Sequence, residues 1–208
     1  SRLGKDHWDD ADRWIRNQYS ENQIIQLNFR EDGRYRLKTT PIREKYFTAD
    51  RVPERILGSF VYWPSPNDMF GTFRKGYSDE HPIGQSACCT ANGAKALYFI
   101  WKNILECEVS QLRVNLLLNR TSKWADVASF IPFCGRVEVT LKQKLELSIR
   151  LPEWVKSSDV QGSVDGKLVT LAFDGRYANF GSTPEGSVAR LEFPLPERTA
   201  KALIHGHE

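Results

Sequence analysis

The sequence predicts an α+β fold in which helices precede an antiparallel β-sandwich, and three observations lead there. Apolar residues recur at helical spacing only before about residue 105, the spacing changes to two beyond it, and turn residues then punctuate the chain at short intervals. That change of period divides the chain into a first segment, 1–105, and a β segment, 106–208.

The first helix is expected over Asp6–Gln26, where Trp8, Ala11, Ile15, Tyr19 and Gln23-Ile24 repeat at roughly helical intervals. Asp9, Asp10 and Asp12 fall in its first turns, where the positive end of the helix dipole favours acids. From Asn28 to Glu80 the pattern breaks around Gly33, Pro41, Pro53, Gly58, Pro64, Pro66, Gly71 and Gly76, which predicts a long connection with short pieces of structure. Such long irregular segments tend to carry function. A second helix is expected from an N-cap at Asn92 to about Leu105, because Leu97, Ile100, Trp101 and Ile104 stand at i, i+3, i+4 and i+7.

Strands are expected at 112–118, 137–141, 145–151 and 188–192, each with alternating apolar positions. Pro132, Gly135, Pro152, Gly162, Asp165-Gly166, Asp174-Gly175 and Gly181 supply the turns between them. Asp165-Gly166, set between Ser163-Val164 and Lys167–Thr170, predicts a hairpin.

Composition fits a folded protein: 40% hydrophobic and 12% aromatic residues provide a core, and 26% charged residues provide a surface. The net charge of +3 is spread among acids without a basic stripe, which argues against nucleic acid as a partner. No apolar run reaches the roughly 20 residues needed to cross a bilayer, so no membrane role is expected. The first residues, Ser1–Lys5, carry neither Met nor the apolar stretch of a signal peptide, as expected of a segment taken from a longer chain, and the compartment stays open between cytoplasm and periplasm.

The sharpest local feature is Ser86-Ala87-Cys88-Cys89-Thr90-Ala91-Asn92-Gly93, two thiols placed just before the second helix. A helix N-terminus offers unsatisfied N–H groups and a positive dipole end, which favour a thiolate, and a thiolate is both nucleophile and metal ligand. Composition alone favours a buried structural pair over a metal or catalytic role, and a strained vicinal disulfide is a third reading. His81, Cys107 and Cys134 form no recognised ligand spacing with the pair. The acids of the first helix are read as dipole compensation and not as a glycosidase pair, His7 and His81 as surface or hydrogen-bonded residues, and His205 and His207 as tail residues. Trp63, among Tyr62, Pro64, Asn67 and Asp68, offers a ring for sugar stacking, with core packing the simpler reading. Asn119-Arg120-Thr121 is a formal glycosylation sequon, discounted because it follows an apolar strand and lacks secretory context.

Around the cysteines, CCTANGAKALYFIWKNI resembles the double-cysteine segment of glycoside hydrolase family 127, the β-L-arabinofuranosidases. DHWDDADRWIRNQYSENQ resembles the helix before it in those proteins, and LRVNLLLNRTSKWADV, LELSIRLPEWV and GRYANFGSTPEGSVARLEFPL resemble strands of their sandwich. The resemblance implies the last helices of an (α/α) barrel catalytic domain followed by the sandwich, and a carbohydrate substrate. It further implies a retaining mechanism in which zinc is held by a Glu, a Cys shortly after it and the cysteine pair. Carried over, Cys88 is nucleophile and zinc ligand and Cys89 a zinc ligand. The Glu-x-Cys element, the acid/base Glu and the sugar-binding histidines belong to barrel helices upstream of Ser1, so the isolated chain is expected to be inactive. The competing expectation is a noncatalytic carbohydrate-binding or structural β-sandwich module with core cysteines.

Overall fold

A computed structural model describes residues 6–23, 25, 55, 57–60, 87–197 and 199, with the side chains of 87–90 outside the described set. The chain forms two compact units, Ser1–Lys102 and Asn103–Glu208. Among the described residues no helix is long and apolar enough to cross a membrane.

In the first unit, helix α1 spans Trp8–Arg13 and runs directly into a π-helical segment, Trp14–Tyr19. The acids at its start act locally. Asp6 accepts the Trp8 N–H at 2.9 Å, Asp10 pairs with Arg13 at 2.6 Å, and Asp12 pairs with Arg16 at 2.9 Å. They therefore cap the helix and brace its surface, as i,i+3 and i,i+4 pairs do.

Helix α2 spans Ala87–Asn103. It begins five residues before the expected cap, so Asn92 lies inside the helix rather than at its start. The residue that misled is Asn92, a common N-cap type, and the helix also carries Gly93, which costs a helix interior about 1 kcal/mol relative to Ala. Here it serves a close approach: a Cβ at Gly93 would stand 2.5 Å from Cγ of Phe60. The packed stripe also differs from the expected one. Gly93, Ala96 and Ile100 are the half-buried positions, while Leu97 and Trp101 are 52% and 47% exposed.

The second unit is almost entirely β. One sheet has the order β1(Leu105–Glu108), β2(Gln111–Val114), β6(Leu145–Arg150), β10(Tyr177–Thr183), β9(Ala172–Asp174). The other has the order β3(Arg120–Thr121), β4(Ala125–Ser129), β5(Arg136–Leu141), β11(Val188–Glu192), β7(Gln161–Val164), β8(Lys167–Val169). Alternation decides which side is buried: Leu112 and Val114, then Leu145, Leu147 and Ile149, point inward from the first sheet, and Val137, Val139, Leu141, Ala189 and Leu191 from the second, all at most 3% exposed. Two sheets each buried on one face make a β-sandwich.

The sandwich is not wholly antiparallel, which corrects the expectation. β2 and β6 run parallel, with Leu112 opposite Leu147 and Val114 opposite Ile149. The reason is topological. After β2 the chain passes through β3, β4 and β5 in the other sheet before returning as β6, so the pair is joined by a crossover and no hairpin imposes opposite directions. The (α/α) barrel implied by the resemblance is not seen among the described residues, which hold α1 with its π-helical continuation, α2 and the sandwich.

Within the sandwich the segments singled out by resemblance hold one another. Arg176, just before β10, donates from Nη2 to the carbonyls of Pro152, Leu151 (3.3 Å) and Val155 (3.1 Å), fixing the Leu151–Val155 loop after β6. Asp165-Gly166 makes the expected turn between β7 and β8, with Val164 opposite Lys167 and both residues at positive φ, 50° and 77°. Asp165 accepts the Val188 N–H at 2.8 Å, tying that turn to β11.

Candidate functional site

The backbone places Cys88 and Cys89 in the first turn of α2, not ahead of it. This is the stretch of a helix whose N–H groups have no partner within the helix, so the electrostatic argument for an ionised thiol is kept and moved onto helical positions. The thiol side chains themselves lie outside the described residues, as do His81, His205 and His207 and the aromatic stretch Tyr62-Trp63 with Pro64, Asn67 and Asp68.

A group of described residues in the same unit meets α2 at Gly93. Tyr19, at the end of the π-helical segment, donates its hydroxyl to the Gly93 carbonyl at 2.6 Å across 74 residues of sequence. Its ring stacks on Phe60 at 4.7 Å and lies 5.1 Å from Trp14. Phe60 in turn fills the space that Gly93 leaves open. Gln23 reinforces the group, pairing with Phe60 as an isolated bridge and donating to the Gly58 carbonyl at 2.9 Å. Burial pushes the Tyr19 hydroxyl above its ordinary value, partly offset by a backbone bond to Leu97, so it stays protonated and a donor through neutral pH.

The remaining sequence candidates go elsewhere. His7 is exposed and sits 3.5 Å from Asp10. Asn119 is exposed and accepts the Ser129 N–H at 2.7 Å, a structural task. Cys107 and Cys134 are free thiols, half-buried and exposed respectively. Burial pushes the Cys107 thiol up, with Lys123 pulling the other way, which makes it a poor nucleophile. Among the described residues no three His, Cys, Asp or Glu side chains gather where a metal ion could be held. Cys88 and Cys89 together would supply at most two of the four ligands a tetrahedral zinc site requires.

Sequence reasoning missed Tyr19, Phe60 and Gly93 as a group. Tyr19 was one apolar position of a helix and Gly93 the residue after an expected N-cap, and only the fold shows that they meet.

No family model and no curated protein matches the chain. Solved structures do. A GH127 β-L-arabinofuranosidase from Geobacillus stearothermophilus T6 aligns over 69% of this chain and 26% of its own, at 21% identity and a TM-score of 0.47. A structure described as a glycoside hydrolase aligns over 66% of this chain and 26% of its own, at 21% identity and a TM-score of 0.49. A second GH127 β-arabinofuranosidase aligns over 65% of this chain and 25% of its own, at 19% identity and a TM-score of 0.45. The chain thus spans about a quarter of the length of the structures it matches, and over about two thirds of its own length it is similar to glycoside hydrolases, two of them β-arabinofuranosidases of family 127.

Proposed function

We propose that this chain is part of a retaining glycoside hydrolase that removes terminal β-L-arabinofuranose or a related sugar, with Cys88 as the nucleophile. The observation that carries the reading is the placement of the adjacent pair in the first turn of α2, where free N–H groups and the dipole favour a thiolate. In the first step the Cys88 sulfur attacks the anomeric carbon. The C–S bond forms as the C–O bond to the aglycone breaks, and a general acid protonates the departing alcohol. In the second step water, deprotonated by the conjugate base, attacks the same carbon, and the thiolate leaves. Two displacements at one carbon retain its configuration.

Zinc bound at Cys88 and Cys89 would hold the thiolate ionised. The pair would supply two of the four ligands of a tetrahedral site, so no step is derived through the metal, and the isolated chain is proposed to be inactive. The test is to express the chain with the sequence that precedes it in its gene, assay an aryl β-L-arabinofuranoside, and compare Cys88→Ser. Turnover should fall by a factor of about 10³ or more, the scale of losing a covalent nucleophile. Equal rates would remove Cys88 from the mechanism.

One observation favours a second reading. The Asn103–Glu208 unit buries a continuous core of its own, as a noncatalytic carbohydrate-binding or structural sandwich would. Under that reading Cys88→Ser and Cys89→Ser leave the metal content of the longer protein unchanged.

A further inference from the structure

We infer that Tyr19 is a positioning residue that sets the rotation of α2 and so makes the two adjacent cysteine positions unequal. The inference rests on the reading of Cys88 and Cys89 as the reacting pair, although the geometry behind it stands without that reading.

The hold on α2 is applied at Gly93, one helical turn after Cys89. In the i to i+4 ladder the Gly93 N–H bonds back to the Cys89 carbonyl, so whatever fixes Gly93 fixes the turn that carries the pair. Tyr19 binds the Gly93 carbonyl at 2.6 Å, and Phe60, stacked on the Tyr19 ring at 4.7 Å, occupies the place of the missing Cβ. A hydrogen bond and a steric contact at the same residue restrain both translation along the helix axis and rotation about it.

Rotation is what separates the two positions. At about 100° per residue, positions 89, 93, 96 and 100 share one stripe of α2, and 88, 92, 95 and 99 share the neighbouring one. The first stripe is the half-buried one at Gly93, Ala96 and Ile100; the second is exposed at Asn92, Lys95 and Phe99. Position 89 is thus in line with the clamp, and position 88 in line with the open side. Two residues of identical chemistry thus occupy different faces of α2, in a rotation that the contacts at Gly93 set, and the π-helical segment contributes by ending at Tyr19. Such segments shift the side-chain phase of a helix and recur at functional sites.

The test uses the intact 208-residue chain. Limiting iodoacetamide is applied well below the unfolding temperature, and fragment-ion mass spectrometry scores Cys88 against Cys89, with Cys107 and Cys134 as internal references. The wild type should label Cys88 in preference to Cys89. Tyr19→Phe keeps the ring and removes the donor, and should bring the ratio toward one by about fivefold, the scale of one lost hydrogen bond. Phe60→Leu removes the stacking instead and should move the ratio in the same direction, which keeps the test decisive if the first variant folds poorly. A merely structural Tyr19 would lower the unfolding temperature and leave the ratio unchanged. A wild-type ratio of one, or a ratio unmoved in both variants, overturns the inference. Retained turnover of Cys88→Ser in the longer protein overturns the catalytic reading instead, so the two failures are distinguishable.

Discussion

The two units of this chain handle apolar surface in opposite ways. In Asn103–Glu208 the large apolar side chains of the central strands are all but excluded from water, with Leu112, Val114, Val137, Val139, Ile149 and Leu191 at 0% exposure. In Ser1–Lys102 helix α2 leaves Leu97, Tyr98, Phe99 and Trp101 between 47% and 54% exposed. The sandwich draws its stability from burial, whereas among the described residues α2 meets Tyr19 and Phe60 at Gly93. A substitution that is severe in one unit is therefore expected to be mild in the other, even when the residue type is the same.

The largest contrast is between two leucines. Leu147, 1% exposed in β6 at the middle of its sheet, should cost about 3 to 4 kcal/mol when replaced by Ala, from lost burial and the cavity left behind. Leu97→Ala in α2, with half its side chain already in water, should cost less than about 1 kcal/mol. Urea unfolding followed by circular dichroism, with hydrogen exchange to separate the units, measures both. Equal costs would break the comparison.

Next in size is Arg176→Ala. Its Nη2 serves the carbonyls of Leu151, Pro152 and Val155; in the variant Leu151 keeps the Arg150 guanidinium as donor and Pro152 keeps the Val155 N–H, so the loss falls mainly on the Val155 carbonyl, at about 1 to 2 kcal/mol. Arg176→Lys should recover only part of the loss, because an ammonium cannot reproduce the planar fork. Full recovery by Lys would show that charge alone holds the loop.

Legibility in the sequence follows the same division. β5, β6 and β11 could be read because Val137-Val139-Leu141, Leu145-Leu147-Ile149 and Ala189-Leu191 alternate with polar neighbours, and burial of one face imposes that period. β9 could not, since Ala172, Phe173 and Asp174 are all exposed and no face is selected. β3 is two residues long and too short to show a period. The parallel pairing of β2 with β6 was invisible for a different reason: alternation tells which side of a strand is buried, not which way its neighbour runs. At the candidate site the adjacency of Cys88 and Cys89 was visible, and the electrostatic argument needed only their place at a helix start. The start itself was misplaced, because Asn92-Gly93 carries the chemistry of a boundary while its glycine answers to Phe60, far away in the chain.

The smallest effect sharpens the comparison at the edge of the sandwich. Asp165 holds its turn by accepting the Val188 N–H and a bond from the Ser187 hydroxyl, and these donors hold its carboxyl below the ordinary value. A carboxylate depressed in the folded state stabilises it above the unfolded value of about 4, and that contribution fades as pH falls through the folded value. Asp165→Asn keeps a side chain that tolerates the positive φ of 50° and retains an oxygen acceptor, yet cannot titrate. Wild type should therefore exceed the variant in stability at pH 7, and the gap should close as the pH is lowered below about 4. The carboxyl is fully exposed, so the gap should be small and should shrink with added salt. Urea midpoints at neutral and acid pH, with and without salt, measure it. A gap that persists unchanged in acid would mean that the turn is held by its backbone geometry, with the charge of Asp165 contributing nothing, and the sandwich edge would then resemble its core in depending on packing and register alone.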